Sequence, residues 1–231
     1  MAYARLNGKP LQAMRALVGA LALLAMVGLS NPARADAFDA FFMAIKMDDA
    51  QRLRNWLLRG MDPNTISNEG LPAVAYAVVH ESPQALAVLL QHQQTDLEQS
   101  DTKGDTALMI AASRSQADAI KVLLEAGAKA DREGQWSALH YAAAAGCVPC
   151  VQLLVNFKAN LDAMSENGTT PLMMAARSGR EDTARLLLKL GANPSPVNEA
   201  GFNAAGYAMR SKRSELAFEI MRKEKALRKA P

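Results

Sequence analysis

Thr170-Pro-Leu-Met-Met-Ala-Ala-Arg-Ser-Gly179, continuing to Leu187-Leu188 and Gly191-Ala192-Asn193-Pro194, decides the fold. A threonine hydroxyl caps a helix, and the proline behind it takes the first helical position, where no N–H is needed. Leu172 turns inward, and the small pair Ala175-Ala176 lets a second helix come close. Gly179 can take the left-handed conformation that ends the first helix, and Gly191 can do so for the second. Between them Ala184, Leu187 and Leu188 recur at helical spacing as an apolar stripe. One helix-turn-helix cannot bury that stripe alone, so it requires copies.

Copies are present. Thr106-Ala-Leu-Met-Ile-Ala-Ala112 precedes Leu123-Leu124 and Gly127-Ala128 at the same offsets, and Ser137-Ala-Leu-His-Tyr-Ala-Ala143 precedes Gly146 and Leu154-Val155. A weaker copy runs from Gly70-Leu-Pro-Ala-Val through Ala77 to Leu89-Leu90. Leu108, Leu139 and Leu172 stand 31 and 33 residues apart, the period of a stacked repeat rather than of a single-core fold.

This pattern resembles the ankyrin-repeat family, whose unit reads G-x-T-P-L-H-x-A-A…L-L-x-x-G-A and is matched best at Gly168–Ala192 and Gly104–Ala128. The resemblance implies an all-α solenoid of helix-turn-helix units with short β-hairpin fingers, and a habit of binding proteins. Six units are expected, over 37–66, 67–99, 100–132, 133–163, 164–197 and 198–231. The first is degenerate, with Ala40-Phe-Phe-Met-Ala44 at its entry, and the last ends in a charged helix, so both read as caps. The second departs most in its loops: Glu81 replaces the helix-ending Gly, and Gln91-His-Gln-Gln94 reads as less ordered than its equivalents. The finger entering unit four is two residues shorter than the next, with Gln135 at the Gly position.

Residues 1–35 read as a cleaved secretion signal. Arg5, Lys9 and Arg15 lead an apolar run of 14 residues, Ala16–Leu29, and Ala33-Arg-Ala35 places small residues for a cut before Asp36. The run falls short of the ~20 residues a spanning helix needs, so no stable membrane insertion is expected after cleavage. Export to the periplasm is the expected localisation. Removing four basic and no acidic residues leaves 22 basic against 23 acidic in 36–231. Within that part, 210–231 holds eight basic and three acidic residues. A basic end can meet nucleic acid, anionic lipid or an acidic partner, or simply face water. Export argues against nucleic acid.

Chemistry-bearing residues are few. Cys147 and Cys150, in Gly146-Cys-Val-Pro-Cys150, lie three apart at the start of a second helix, near enough for their sulfurs to meet. A disulfide, two reduced thiols and a thiol-redox site all remain open for the pair. The spacing resembles Cys-x-Pro-Cys oxidoreductases, but the rest of that fold is absent. His140 falls on the family's motif histidine, which implies a ring bonded to neighbouring loop backbone; His80 and His92 have no partner at ligand spacing. Asp48-Asp49 and Glu181-Asp182 fall in the first turns of second helices, where carboxylates meet the positive dipole end. With no catalytic triad order, phosphate loop or dinucleotide turn, neither catalysis, a metal nor a cofactor is expected.

In the family architecture the residue between Gly and Thr faces the concave side with the finger tips. Here it is Leu71, Asp105, Trp136, Thr169 and Phe202 in successive units. Apolar residues at three of these five positions point to an unidentified protein partner, with Trp136 as anchor. Packing of Trp136 over the shortened finger is the competing reading. Asn68, Glu69, Thr102, Lys103, Arg132, Glu133, Glu166, Asn167, Asn198 and Glu199 would form a polar rim of mixed charge. The sequence therefore reads as a non-catalytic protein-binding module, with a thiol-redox accessory role and an anionic-surface role as alternatives.

Overall fold

Six helix pairs follow one another along the chain in the computed structural model, which describes residues 32–132 and 134–229, with side chains from Asp36 onward. They are α1 (Pro32–Lys46) with α2 (Ala50–Leu58), α3 (Ala73–Val79) with α4 (Pro83–Leu90), and α5 (Ala107–Ser113) with α6 (Ala117–Glu125). Then come α7 (Ala138–Ala145) with α8 (Val148–Asn156), α9 (Pro171–Arg177) with α10 (Glu181–Leu190), and α11 (Ala204–Arg210) with α12 (Ser214–Leu227). Of the leader expected over residues 1–35, residues 1–31 lie outside the described residues and 32–35 open α1. The chain divides between Ala40 and Phe41, and the repeats from Phe41 form one compact unit.

In the repeat unit, α3, α5, α7, α9 and α11 pack one on the next, and α2, α4, α6, α8, α10 and α12 form a parallel second layer. The result is a helical repeat solenoid. Local chemistry behaves as the quoted stretch predicts. The Thr170 hydroxyl accepts from Met173 N–H, Pro171 opens α9, and Gly179 and Gly191 sit at φ +66° and +103°. Leu108, Leu139 and Leu172 are buried between the layers, as are Leu89, Leu123, Leu154 and Leu187 of the second layer. Each such side chain contributes roughly 1.5–3 kcal/mol.

Polar side chains set the register between units. Asn64, Glu98, Asp131 and Asp162, one per unit, accept backbone N–H groups of Asp96, Lys129, Asn160 and Asn193 in the next. At the other end, Gln116 and Arg180 occupy equivalent N-cap positions of α6 and α10. They donate back to the Val78 and Ala144 carbonyls, near the C-terminal ends of the inner helices in the units before. Asp48 stands in the turn before α2, not in its first turn as expected, and its carboxylate accepts from Ala85 N–H at the start of α4. The Gln91–Gln94 segment is also tied down rather than loose: the Gln94 carbonyl accepts from Asn64 Nδ2, and Thr95 Oγ1 donates to Leu89 O.

The fingers are tighter than hairpins. Four share one turn, closed by Ser67, Asp101, Ser165 and Asn198 accepting from and donating to backbone across the loop. Only the isolated bridges Ile66–Pro72 and Ser100–Thr106 represent β pairing among the described residues. In the shortened finger the left-handed residue is Gly134 (φ +67°), one place before the expected Gln135.

Left-handed backbone also falls on Glu81 (φ +55°) and Lys158 (φ +68°), where other units carry glycine. An L side chain there costs about 1 kcal/mol, which glycine avoids apart from its greater unfolded-state entropy. Glu81→Gly and Lys158→Gly should each stabilise by about 0.5 kcal/mol. A raised urea midpoint at constant m-value checks this; an unchanged midpoint sinks it.

Candidate protein-binding face

The side chain at the base of each finger fixes the residue the finger presents. Ser67 Oγ accepts from Leu71 N–H, Asp101 Oδ1 from Asp105 N–H, Ser165 Oγ from Thr169 N–H, and Asn198 Oδ1 from Phe202 N–H. These Asx-type turns are built by the chain's own polar residues. What they present differs from unit to unit.

Asp105, Trp136 and Tyr141 form one cluster. Tyr141 Oη donates to Asp105 Oδ1, and the half-buried Trp136 ring lies edge-on to His140, centroids 5.3 Å apart, and 6.3 Å from Tyr141. Trp136 thus packs locally, as the competing reading has it, while the residue stays partly exposed. Phe202 belongs to a second cluster, between the Tyr207 ring at 5.3 Å and the Arg210 guanidinium at 4.8 Å. Leu71 is half-buried in the first finger, and the described contacts join it to neither cluster.

Thr169 corrects the expectation. It is only 3% exposed. Its carbonyl accepts from His140 Nε2–H at 2.9 Å, and its hydroxyl accepts from Asn198 Nδ2 at 3.2 Å. A partner cannot reach it. Asn198, expected on the rim, is buried for the same reason. Glu133 of the rim lies outside the described residues.

His140 holds this region together. Its Nδ1 accepts from Ser137 N–H and faces Ser137 Oγ at 2.9 Å, while Nε2 faces a carbonyl, which can only accept. Both contacts require the neutral ring with its proton on Nε2. Burial pushes its pKa down, and the bond to Thr169 opposes this only in part. For Tyr141, burial first and the Asp105 carboxylate second push the pKa up, so the phenol stays protonated. The tyrosines were missed at the sequence level. Their signal was there: Tyr141 and Tyr207 each stand four residues after the N-caps Ser137 and Asn203.

Cys147 and Cys150 lie at disulfide distance, with Cα atoms 5.2 Å apart. Cys147 is the N-cap of α8 and accepts from Cys150 N–H. It is 7% exposed and Cys150 0%. Thiol exchange needs an attackable sulfur, so this burial favours a structural link over a redox site. No group of three or more metal-ligating side chains occurs among the described residues. Among them, too, no helix is long and apolar enough to cross a membrane. The terminal helix α12 is less polar than a pure cap: Phe218 and Met221 are exposed beside Arg222 and Lys225.

The family model for ankyrin repeats in three copies matches residues 41–134 and 130–198. The chain belongs to the ankyrin-repeat family. Among curated relatives, it is 31% identical over 160 residues to protein glp-1 of Caenorhabditis elegans, covering 62% of this chain and 12% of that one. It is 25% identical over 139 residues to transient receptor potential cation channel subfamily A member 1 of Homo sapiens, covering 56% and 12%. With human neurogenic locus notch homolog protein 2 it shares 43% over 79 residues, covering 33% and 3%. The chain thus spans a small fraction of these relatives' lengths. Ankyrin repeats generally mediate protein–protein interaction, and the family is typically non-enzymatic.

Proposed function

We propose that this chain is an exported, non-catalytic binding module that engages a protein partner through its finger and inner-helix face around Trp136. The observation that carries the reading is the half-exposed indole on a preordered platform. Its inner edge is fixed by His140 and Tyr141, and those rings are themselves hydrogen-bonded across unit boundaries. An aromatic held this way loses little entropy on binding and gains its remaining apolar area. Asp105 and Arg132 supply nearby polar groups of both signs. The periplasm is proposed as the site of action, from the leader pattern and the cut before Asp36.

Tagged protein captured from periplasmic extract tests this. The recovered chain should begin at Asp36 and bring down a discrete partner. Trp136→Ala should weaken that complex by about 2 kcal/mol, roughly thirtyfold in Kd, at a temperature where thermal melts show the variant still folded. The double variant Cys147→Ser with Cys150→Ser should retain the partner. Partner retention by Trp136→Ala, or loss only with the cysteine pair, would overturn the proposed face.

A further inference from the structure

Between units five and six the inner face opens into a groove of about 510 Å³ whose walls include Asn167, Arg177, Phe202, Tyr207, Arg210 and Ser211. Two guanidinium groups line it, and no aspartate or glutamate is among the described residues that do. The ion pairs at this end of the chain engage Arg185, Arg213 and Arg228 instead. The Arg210 guanidinium lies over the Phe202 ring, 4.8 Å from its centroid, and no ion pair among the described residues engages it, so its N–H groups can meet a carboxylate bidentately.

The repeat itself shows what is missing. Tyr141 and Tyr207 occupy the same place in their units, and so do Asp105 and Thr169 in the units before them. In the earlier pair Tyr141 donates its hydroxyl proton to the Asp105 carboxylate. In the later pair the carboxylate is replaced by buried Thr169, and the Tyr207 oxygen accepts from Asn198 Nδ2 at 2.7 Å. The Tyr207 proton is therefore left to donate elsewhere. The chain fills one such position with its own carboxylate, and at the other it presents the same donor with two arginines beside it.

We propose that this groove receives a carboxylate of the protein partner, an aspartate or glutamate side chain or a chain terminus, held by Arg177, Arg210 and the Tyr207 hydroxyl. The assignment rests on the reading of the inner face as a protein-binding surface, and adds to it what that surface selects. Acidic ligand segments orient with their carboxylate in the groove and the rest of the segment running along the inner face toward Trp136.

Selection of random peptides of about twelve residues against the immobilised full chain, displayed through either end, tests this without a known partner. The expected result is enrichment of Asp and Glu in one display, or of a free C-terminal carboxylate in the other. Which display succeeds distinguishes the two sources. Synthetic copies of the enriched peptides should bind Arg177→Gln with Arg210→Gln at least tenfold more weakly. Tyr207→Phe, which keeps the ring and its packing, should weaken them about threefold to tenfold. Replacing the peptide's acids by Gln, or amidating its terminus, should remove the difference between wild type and variants. Thermal melts establish that both variants are folded. Enrichment with no acidic preference, no enrichment, or equal affinity in folded variants would overturn the assignment. Inorganic phosphate displacing the peptides at concentrations where equal chloride does not would also overturn it, since the groove would then be a phosphate site. Trp136→Ala serves as the independent control. A dead groove beside a Trp136-dependent partner refutes this site alone, and live peptide binding with no Trp136 effect on capture refutes the Trp136-centred face alone.

Discussion

His140→Leu will lower the stability of the protein by about 3 kcal/mol at neutral pH and will flatten its response to acid. Leucine fills much of the space but strands the Ser137 N–H and leaves the Thr169 carbonyl with Ser165 alone, in a region where Ser137 is 0% and Thr169 3% exposed. A buried polar group left without its partner costs about 1–3 kcal/mol, and the Ser137 hydroxyl loses its contact with Nδ1 as well. The acid response follows from linkage. Burial lowers the folded-state pKa of His140 below its ordinary 6.5, so below that pH the unfolded chain binds a proton that the folded chain refuses. The stability due to the neutral ring is therefore full above about pH 6.5 and is lost as pH falls below it. The slope is at most about 1.4 kcal/mol per pH unit, until the folded-state pKa is reached. Leucine has no such proton. Urea unfolding of both proteins at pH 7.5 and pH 5 should show the gap between them shrinking by up to about 2 kcal/mol in acid. A gap independent of pH would show that His140 is not held neutral by its surroundings.

What the sequence disclosed and what it hid divide by distance along the chain. The Thr170 cap, Pro171 at the first helical position and the turns at Gly179 and Gly191 each depend on a few consecutive residues, and each is legible in the letters. The period of Leu108, Leu139 and Leu172 then implies stacking, because one unit cannot bury its own stripe. Contacts between units are another matter. Thr169 reads as a surface residue from its place in the motif, yet Asn198, 29 residues on, covers its hydroxyl, and His140 claims its carbonyl from the unit before. Asp48 reads as a dipole partner of its own helix but serves Ala85 of the next unit. The groove was invisible for the same reason: Arg177, Phe202 and Tyr207 come together only when units five and six stack. Glu81 and Lys158 mark the opposite limit, where the fold imposes left-handed backbone on residues that do not favour it.

Stacking also governs the second large effect. Leu172→Ala will cost about 3 kcal/mol and will uncouple the last two units from the rest. Leu172 is 0% exposed in α9, which packs on α7 on one side and α11 on the other. Truncating a buried leucine costs about 2–5 kcal/mol, depending on how far the site collapses around the cavity. In a compact single-core domain that loss would be shared by the whole fold. In a repeat stack each unit touches only its neighbours, so the loss falls on one unit and its two interfaces. The chain carries its own reporters for this, since its two tryptophans, Trp56 and Trp136, lie in α2 and in the finger entering α7, both before the cavity. In wild type, tryptophan fluorescence and far-ultraviolet circular dichroism should follow one urea transition. In Leu172→Ala the dichroism signal should begin to fall at lower urea, as α9 to α12 melt, while fluorescence holds until the first four units unfold. Peptide binding to the groove at Arg177 and Arg210 should be lost at the lower transition, and Trp136-dependent capture should survive to the higher one. Coincident transitions in the variant would mean that coupling across α7 and α9 exceeds the cavity's cost, and the two binding regions would then rise and fall together.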